Sequence, residues 1–236
     1  ALVSAELASQ NRRRPVLLGL SGADTRRGVK LLRRAAHWAE AADGYLIACP
    51  YYTRPSQRGL YEHFIALADA AERPILIYNI PYRTGVNMSN ETLLRLAEHP
   101  RIVGVKDCCA DPAQSQALLR DRPADFAVLT GEDAAFFDML SHGADGGILA
   151  SAHVRTADFD AVRVHLAAGD TAAARAAWNR LAAIPPALFA EPSPAPIKHW
   201  LWREGLIDSP EVRLPMTPVS EALAARLDAL RATSLA

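Results

Sequence analysis

No run in the 236 residues approaches the roughly 20 apolar residues that cross a bilayer as a helix, so no membrane span is expected. Charge of one sign is missing as well: 26 basic residues face 26 acidic ones. A balanced chain carries no electrostatic footprint for nucleic acid or an anionic membrane, and neither is expected as a partner. Cysteine is scarce. Cys49, Cys108 and Cys109 form an odd set without paired spacing, which argues against a disulfide framework and for a reducing compartment. The adjacent pair Cys108–Cys109 would need a second Cys or His cluster at ligand spacing to suggest metal or redox chemistry. The seven histidines make no H-x-x-x-H pair and sit in no nucleophile motif. No metal or cofactor is called for. The opening, "ALVSAELASQNRRR", shows no secretory leader, so the cytoplasm is the expected location. It also starts inside a helix-like pattern without an initiator methionine, which points to a chain missing its beginning.

What is present is a regular beat of short apolar runs: "PVLLGL" from Pro15, "GYLIACP" from Gly44, "PILIYNIP" from Pro74, "IVGVKD" from Ile102, "FAVLTG" from Phe126 and "GGILA" from Gly146. Each is rich in Val, Ile and Leu and too short for a helix, the pattern of a buried parallel strand. Amphipathic segments lie between them. "DTRRGVKLLRRAAHWAEAA" begins at an Asp24/Thr25 cap and sets Val29, Leu32, Ala36 and Ala39 on one face. "RPSQRGLYEHFIALADAA" opens with Pro55 and aligns Leu60, Phe64 and Leu67. Ser89 caps the next helix, with Glu91 in its first turn. "DPAQSQALLRDRP" is an Asp cap followed by Pro at the first helical position. Such β-α alternation predicts a parallel sheet, doubly wound or closed into a barrel. After Gly146–Ala150 the pattern turns purely helical. The layout predicts an incomplete (β/α)8 barrel of about six βα units in residues 1–169, two short of closure, and a helical domain in 170–236. The rival, a doubly wound sheet, would show a G-x-G-x-x-G loop; "GLSGAD" lacks that spacing.

In both architectures chemistry gathers at the C-terminal strand ends. Those ends read Pro50-Tyr51-Tyr52, Tyr78-Asn79-Ile80-Pro81, Lys106-Asp107, Thr130-Gly131-Glu132-Asp133 and Ile148-Leu149-Ala150. A lysine at its ordinary pKa of about 10.4 is uncharged in about one molecule in a few thousand at neutral pH. Apolar burial disfavours the ammonium. A shift of about three units, about 4 kcal/mol, makes the base form abundant. A neutral Lys106 amine condenses with a ketone or aldehyde to a Schiff base, an electron sink for an adjacent C–H. Making that imine requires proton movement, for which a phenol such as Tyr78, one strand over, is suited. Taken singly, Lys106 reads as a solvated charge, Tyr78 as a core aromatic and "PYY" as a surface turn. Their joint placement favours the chemistry.

The segments "PYYTRPSQRGLYEHF", "ILIYNIPYRTG", "IVGVKD", "LTGEDA", "EPSPAPIKHW" and "RLPMTP", in that order, resemble the dihydrodipicolinate synthase family of the pyruvate-dependent class I aldolases. The resemblance runs from about Pro15 to the C-terminus, and "Y-N-x-P-x-R-T-G" with "G-V-K-D" is its most specific part. It implies a (β/α)8 barrel with a C-terminal helical domain, assembled as a homodimer or homotetramer. It implies that pyruvate forms an imine with Lys106 and that the enamine attacks aspartate-4-semialdehyde, in lysine and diaminopimelate biosynthesis. It also implies that Tyr78 shuttles protons and that Tyr52 crosses a dimer interface into the neighbour's relay. Arg83 would hold the semialdehyde carboxylate by its bidentate fork, and Gly131 and Ile148 would line the pyruvate pocket with backbone. Two departures stand out. The family's G-T-T-G-E segment, whose threonines bind the pyruvate carboxylate, does not occur here. Arg27 occupies the position where lysine-inhibited relatives carry an acidic residue, which argues against lysine sensing. Two other readings share these residues: an N-acetylneuraminate lyase or sugar-acid aldolase of the same superfamily, or a silent chain that only assembles with relatives.

Overall fold

A computed structural model describes residues 15–38 and 42–234. They form two compact units: one gathers the residues up to Gly131 together with His142–Asp145, the other Glu132–Ser141 and the residues from Gly146 onward.

The first unit is a parallel sheet in which each strand returns through a helix. Its strands are β1 (Leu17–Leu20), β2 (Gly44–Ala48), β3 (Ile75–Asn79), β4 (Ile102–Asp107) and β5 (Ala127–Thr130). They pair in chain order, each parallel to the next. The intervening helices are α1 (Thr25–Trp38), α2 (Gln57–Ala70), the single turn α3 (Pro81–Thr84), α4 (Asn90–Ala97) and α5 (Pro112–Asp121). Their starts follow local chemistry. The side chains of Ser56, Ser89 and Asp111 accept from the backbone N–H of Gly59, Thr92 and Ala113, satisfying first-turn donors that no helical carbonyl reaches. Pro112 follows its cap at a position where the missing N–H costs nothing. Leu60, Phe64 and Leu67 of α2 are buried, as their spacing predicts, and so is Leu32 of α1. Ala36 and Ala39 lie outside the residues whose side chains are described.

β2, β3 and β4 are largely buried, whereas Leu17 of β1 is 44% exposed. The expectation of apolar faces buried on both sides therefore fails for β1, which stands last in the sheet order with a strand on one side only among the described residues. Between β3 and β4 the register slips: Ile75 faces Ile102 but Leu76 faces Gly104, so Val103 is the extra residue of a bulge and is exposed. Gly104 is required by the neighbouring strand. A Cβ there would lie 2.3 Å from the carbonyl oxygen of Ala127.

The second unit holds the two-residue strand β6 (Gly146–Gly147) and the helices α6 (Phe136–Ser141), α7 (Thr156–Ala167), α8 (Thr171–Leu181), α9 (Ile184–Leu188), α10 (Ala195–Arg203) and α11 (Glu221–Ser234). β6 is shorter than the run "GGILA" predicts, because Ile148, Leu149 and Ala150 leave the extended ladder. Its core is an aromatic cluster of Phe136, Phe137, Phe159 and Trp178. Ring centroids are 5.4 Å apart for Phe136–Phe159 and 6.2 Å for Phe159–Trp178, in the range where tilted rings attract.

Gly104→Ala is expected to destabilise the protein by about 2–3 kcal/mol, because β5 has to retreat from the added methyl. An unchanged urea midpoint in equilibrium unfolding would contradict the close approach of β4 and β5.

Candidate active site

The parallel register places Tyr78 of β3 directly beside Lys106 of β4, and Asn79 beside Asp107. Successive residues of a strand face opposite sides of the sheet. Tyr78 and Lys106 therefore share one face and Asn79 and Asp107 the other. On the first face the Lys106 Nζ sits 4.2 Å from the centroid of the Tyr78 ring. Both residues are half-buried. An aromatic face attracts the ammonium, by about 0.5–2 kcal/mol depending on solvation. This opposes the effect of apolar burial that the sequence suggests for the lysine.

Gly131, one residue beyond β5, makes room for that lysine. A Cβ on Gly131 would stand 2.5 Å from Cε of Lys106 and 2.3 Å from Sγ of Cys108. The glycine is tied down by its own N–H, which donates to the Asp107 carbonyl at 2.8 Å. Burial above all, then the neighbouring Cys108 and Tyr82, push the Tyr78 phenol up from its ordinary value, while Arg83 pulls the other way. The phenol thus keeps its hydrogen at neutral pH and can donate it.

The opposite face carries a polar latch. Asn79 and Asp107 are buried. The Asp107 carboxylate accepts from Ser115 Oγ at 2.6 Å, from the Cys109 N–H at 3.0 Å and from Asn79 Nδ2 at 3.4 Å. Asn79 also donates to Asn87 Oδ1 at 2.9 Å and accepts from the Met88 N–H at 3.1 Å. Gln114 closes the network, accepting from Asn87 Nδ2 and donating to the Met88 carbonyl, both at 2.8 Å. Buried polar groups so satisfied rigidify the backbone that bears them, and here that backbone carries Tyr78 and Lys106. Asn79 and Asp107 were read from the sequence only as strand-end residues, and Asn87, Gln114 and Ser115 were not singled out. The legible signal was the repeated doublet, Tyr-Asn at one strand end and Lys-Asp at the next.

Of the remaining predicted residues, Arg83 stands near enough to act on the Tyr78 phenol. Arg83 lies on α3, exposed, with its guanidinium carbon 5.5 Å from the Tyr82 ring centroid. Thr84 anchors that turn, donating to the Ile80 and Val86 carbonyls at 3.1 Å each. Tyr52 has a left-handed backbone, φ 70°, and an 89% exposed side chain. Its N–H bonds the Thr84 carbonyl at 3.2 Å, which joins the "PYY" loop to α3, while its ring stands in solvent. Ile148 follows β6 in the second unit and is half-buried. Arg27 lines a separate cavity of about 330 Å³ together with Leu20, Asp24, Tyr51 and His63.

Comparisons with known proteins bear on this arrangement. The model of the dihydrodipicolinate synthetase family matches residues 2–232. The chain belongs to that family. A 4-hydroxy-tetrahydrodipicolinate synthase of Clostridium acetobutylicum is 44% identical over 214 residues, 91% of this chain and 74% of the relative. One of Streptococcus pneumoniae is 40% identical over 92% of this chain and 69% of its own length. Among solved structures, the dihydrodipicolinate synthase of Thermotoga maritima superimposes with a TM-score of 0.92 at 32% identity, covering 99% of this chain and 79% of that one. The chloride-inhibited enzyme of Acinetobacter baumannii, solved in complex with pyruvate, gives 0.90 at 35% identity over 98% and 79%. The fold is accordingly α/β and TIM-barrel-like. No helix of the described residues is long and apolar enough to cross a membrane.

His63 provides a test of the first unit's packing. It is 5% exposed, its Nδ1 is 2.8 Å from Thr25 Oγ1, and burial pulls its ring down to about 4. The unfolded chain, with an ordinary value of about 6.5, takes up the proton first. Stability is therefore full above about pH 6.5 and falls as pH drops toward 4, by roughly 3 kcal/mol in all. Urea midpoints measured from pH 7 to 4.5 are expected to fall more steeply for the native protein than for His63→Asn. Equal slopes would contradict a buried, neutral histidine.

Proposed function

We propose that this chain is a Schiff-base-forming lyase that condenses pyruvate with aspartate-4-semialdehyde, the 4-hydroxy-tetrahydrodipicolinate synthase reaction of lysine and diaminopimelate biosynthesis. One observation carries the reading: an amine resting on the ring of a protonated phenol at the C-terminal edge of a parallel sheet. The names of the relatives point the same way and favour this substrate pair over a sialic or sugar acid.

The steps follow from these groups. The uncharged Lys106 amine adds to the keto carbon of pyruvate. The Tyr78 phenol gives its proton to the departing hydroxyl, and water leaves as the imine forms. The imine withdraws electrons from the methyl group, which loses a proton to give an enamine. The enamine carbon bonds to the aldehyde carbon of the second substrate, whose oxygen takes up a proton. Water adds to the C=N bond, one of its protons returns to the Tyr78 oxygen, and cleavage of the C–N bond releases the product and the free amine.

Arg83 reaches out over Tyr82 on an exposed turn, a place suited to the carboxylate of the second substrate. Gly131 and Ile148 supply pocket backbone in this scheme. Tyr52, with its ring in solvent, is suited to entering the site of a second copy in a homodimer or homotetramer. The same proposal includes a cytoplasmic location and a (β/α)8 plan in residues 1–169 with a helical domain in 170–236.

The test is turnover. The protein is expected to consume aspartate-4-semialdehyde with pyruvate and to leave N-acetylneuraminate untouched. Tyr78→Phe is expected to lower kcat by about a hundredfold or more. Arg83→Ala is expected to raise KM for the semialdehyde by about tenfold or more, with KM for pyruvate unmoved. Preference for the sugar acid, or full activity without Tyr78, would reject the reading; an intact pyruvate imine without turnover would mark a chain that only assembles.

A further inference from the structure

The Tyr78 phenol needs a partner that orients its hydrogen without taking it, and the fold supplies one. Cys108 lies one residue past the end of β4 and is 1% exposed. Its N–H donates to the Asn79 carbonyl at 2.8 Å, which fixes its backbone against the end of β3. Its side chain is hydrogen-bonded to the Tyr78 phenol. Its Sγ also occupies the hollow over Gly131, which Cε of Lys106 reaches as well. One thiol thus touches the proton donor and shares a packing surface with the amine stem. We propose that Cys108 is a positioning residue of this site, holding the Tyr78 phenol and, across Gly131, the end of Lys106 in the alignment that imine formation needs.

Sulfur suits the task. It accepts a hydrogen bond weakly, so the phenol hydrogen is aimed yet remains transferable, whereas a carboxylate at that point would grip it. The same contact helps keep the phenol protonated. Burial makes Cys108 a poor target for solvent oxidants and reagents, in keeping with a role in placement and not in redox chemistry. The inference rests on the imine reading of Lys106.

The experiment measures how fast the protein with pyruvate and borohydride gains the reduced three-carbon adduct, across pH. The protein as it stands is compared with Cys108→Ser, Cys108→Ala and Cys108→Val, the last keeping the volume without an acceptor. Cys108→Ala and Cys108→Val are expected to slow trapping and kcat by about tenfold to a hundredfold, with KM for pyruvate little changed. Their alkaline limb is expected to move to lower pH, since a neighbour that raises the phenol has gone. Cys108→Ser is expected to keep most of the rate. In a Tyr78→Phe background, Cys108→Val, which keeps the packing beside Lys106, is expected to cost little further, as required of a thiol acting through the phenol. Should Cys108→Ala fail to fold, Cys108→Val decides. Normal rates and an unmoved limb in the Val variant, or full additivity with Tyr78→Phe, would reduce Cys108 to packing. Absence of any adduct on the unmodified protein would instead remove the imine reading, and this inference with it.

Discussion

The contact on which the structure turns is between a lysine amine and the face of a tyrosine ring on the neighbouring strand. It exists because β3 and β4 run parallel in a register that sets Tyr78 beside Lys106. A slip of one residue would send one of the two side chains through to the other face of the sheet. The ring favours the charged amine, while the chemistry needs the uncharged one.

That register is held from behind. Asp107 and Asn79, the next rung, place their side chains on the opposite face, where Ser115, Asn87 and the N–H groups of Met88 and Cys109 satisfy them and Gln114 holds Asn87 in place. A buried carboxylate is costly without such partners, so the latch is specific about which residues lie opposite one another. Gly131 has the matching role in front. Its missing side chain is the space in which Lys106 and Cys108 lie. Latch and hollow both stand at the strand ends that carry Tyr78 and Lys106.

Much of this was legible in the residues. Apolar runs bounded by turn residues located all six strands, and the caps at Ser89 and Asp111 were readable because capping is local. The pairing of Tyr78 with Lys106 was readable because strand ends in parallel sheets converge. Other features depend on who sits across space, which a single sequence does not encode. The exposure of Leu17 follows from the place of β1 in the sheet order, and the bulge at Val103 from the register of two strands distant in sequence. The Asn79–Asp107 latch joins residues on separate strands, and the His63–Thr25 contact joins α1 to α2. The opposing pull of the Tyr78 ring on Lys106 was invisible for the same reason, since burial alone suggested a lysine driven toward neutrality. The run after Gly146 kept its apolar character but not its extended form. Ile148, read as pocket backbone, lies beyond the strand it was expected to end.

The chain has three lysines, Lys30, Lys106 and Lys198, so the site of covalent chemistry can be assigned without ambiguity. Peptide mapping by mass spectrometry after reduction in the presence of pyruvate tests the central claim most directly. The account predicts the three-carbon increment on the peptide containing Lys106 and on neither of the other two. An increment spread over all three lysines, or placed on Lys30 or Lys198 with Lys106 unmodified, would contradict it.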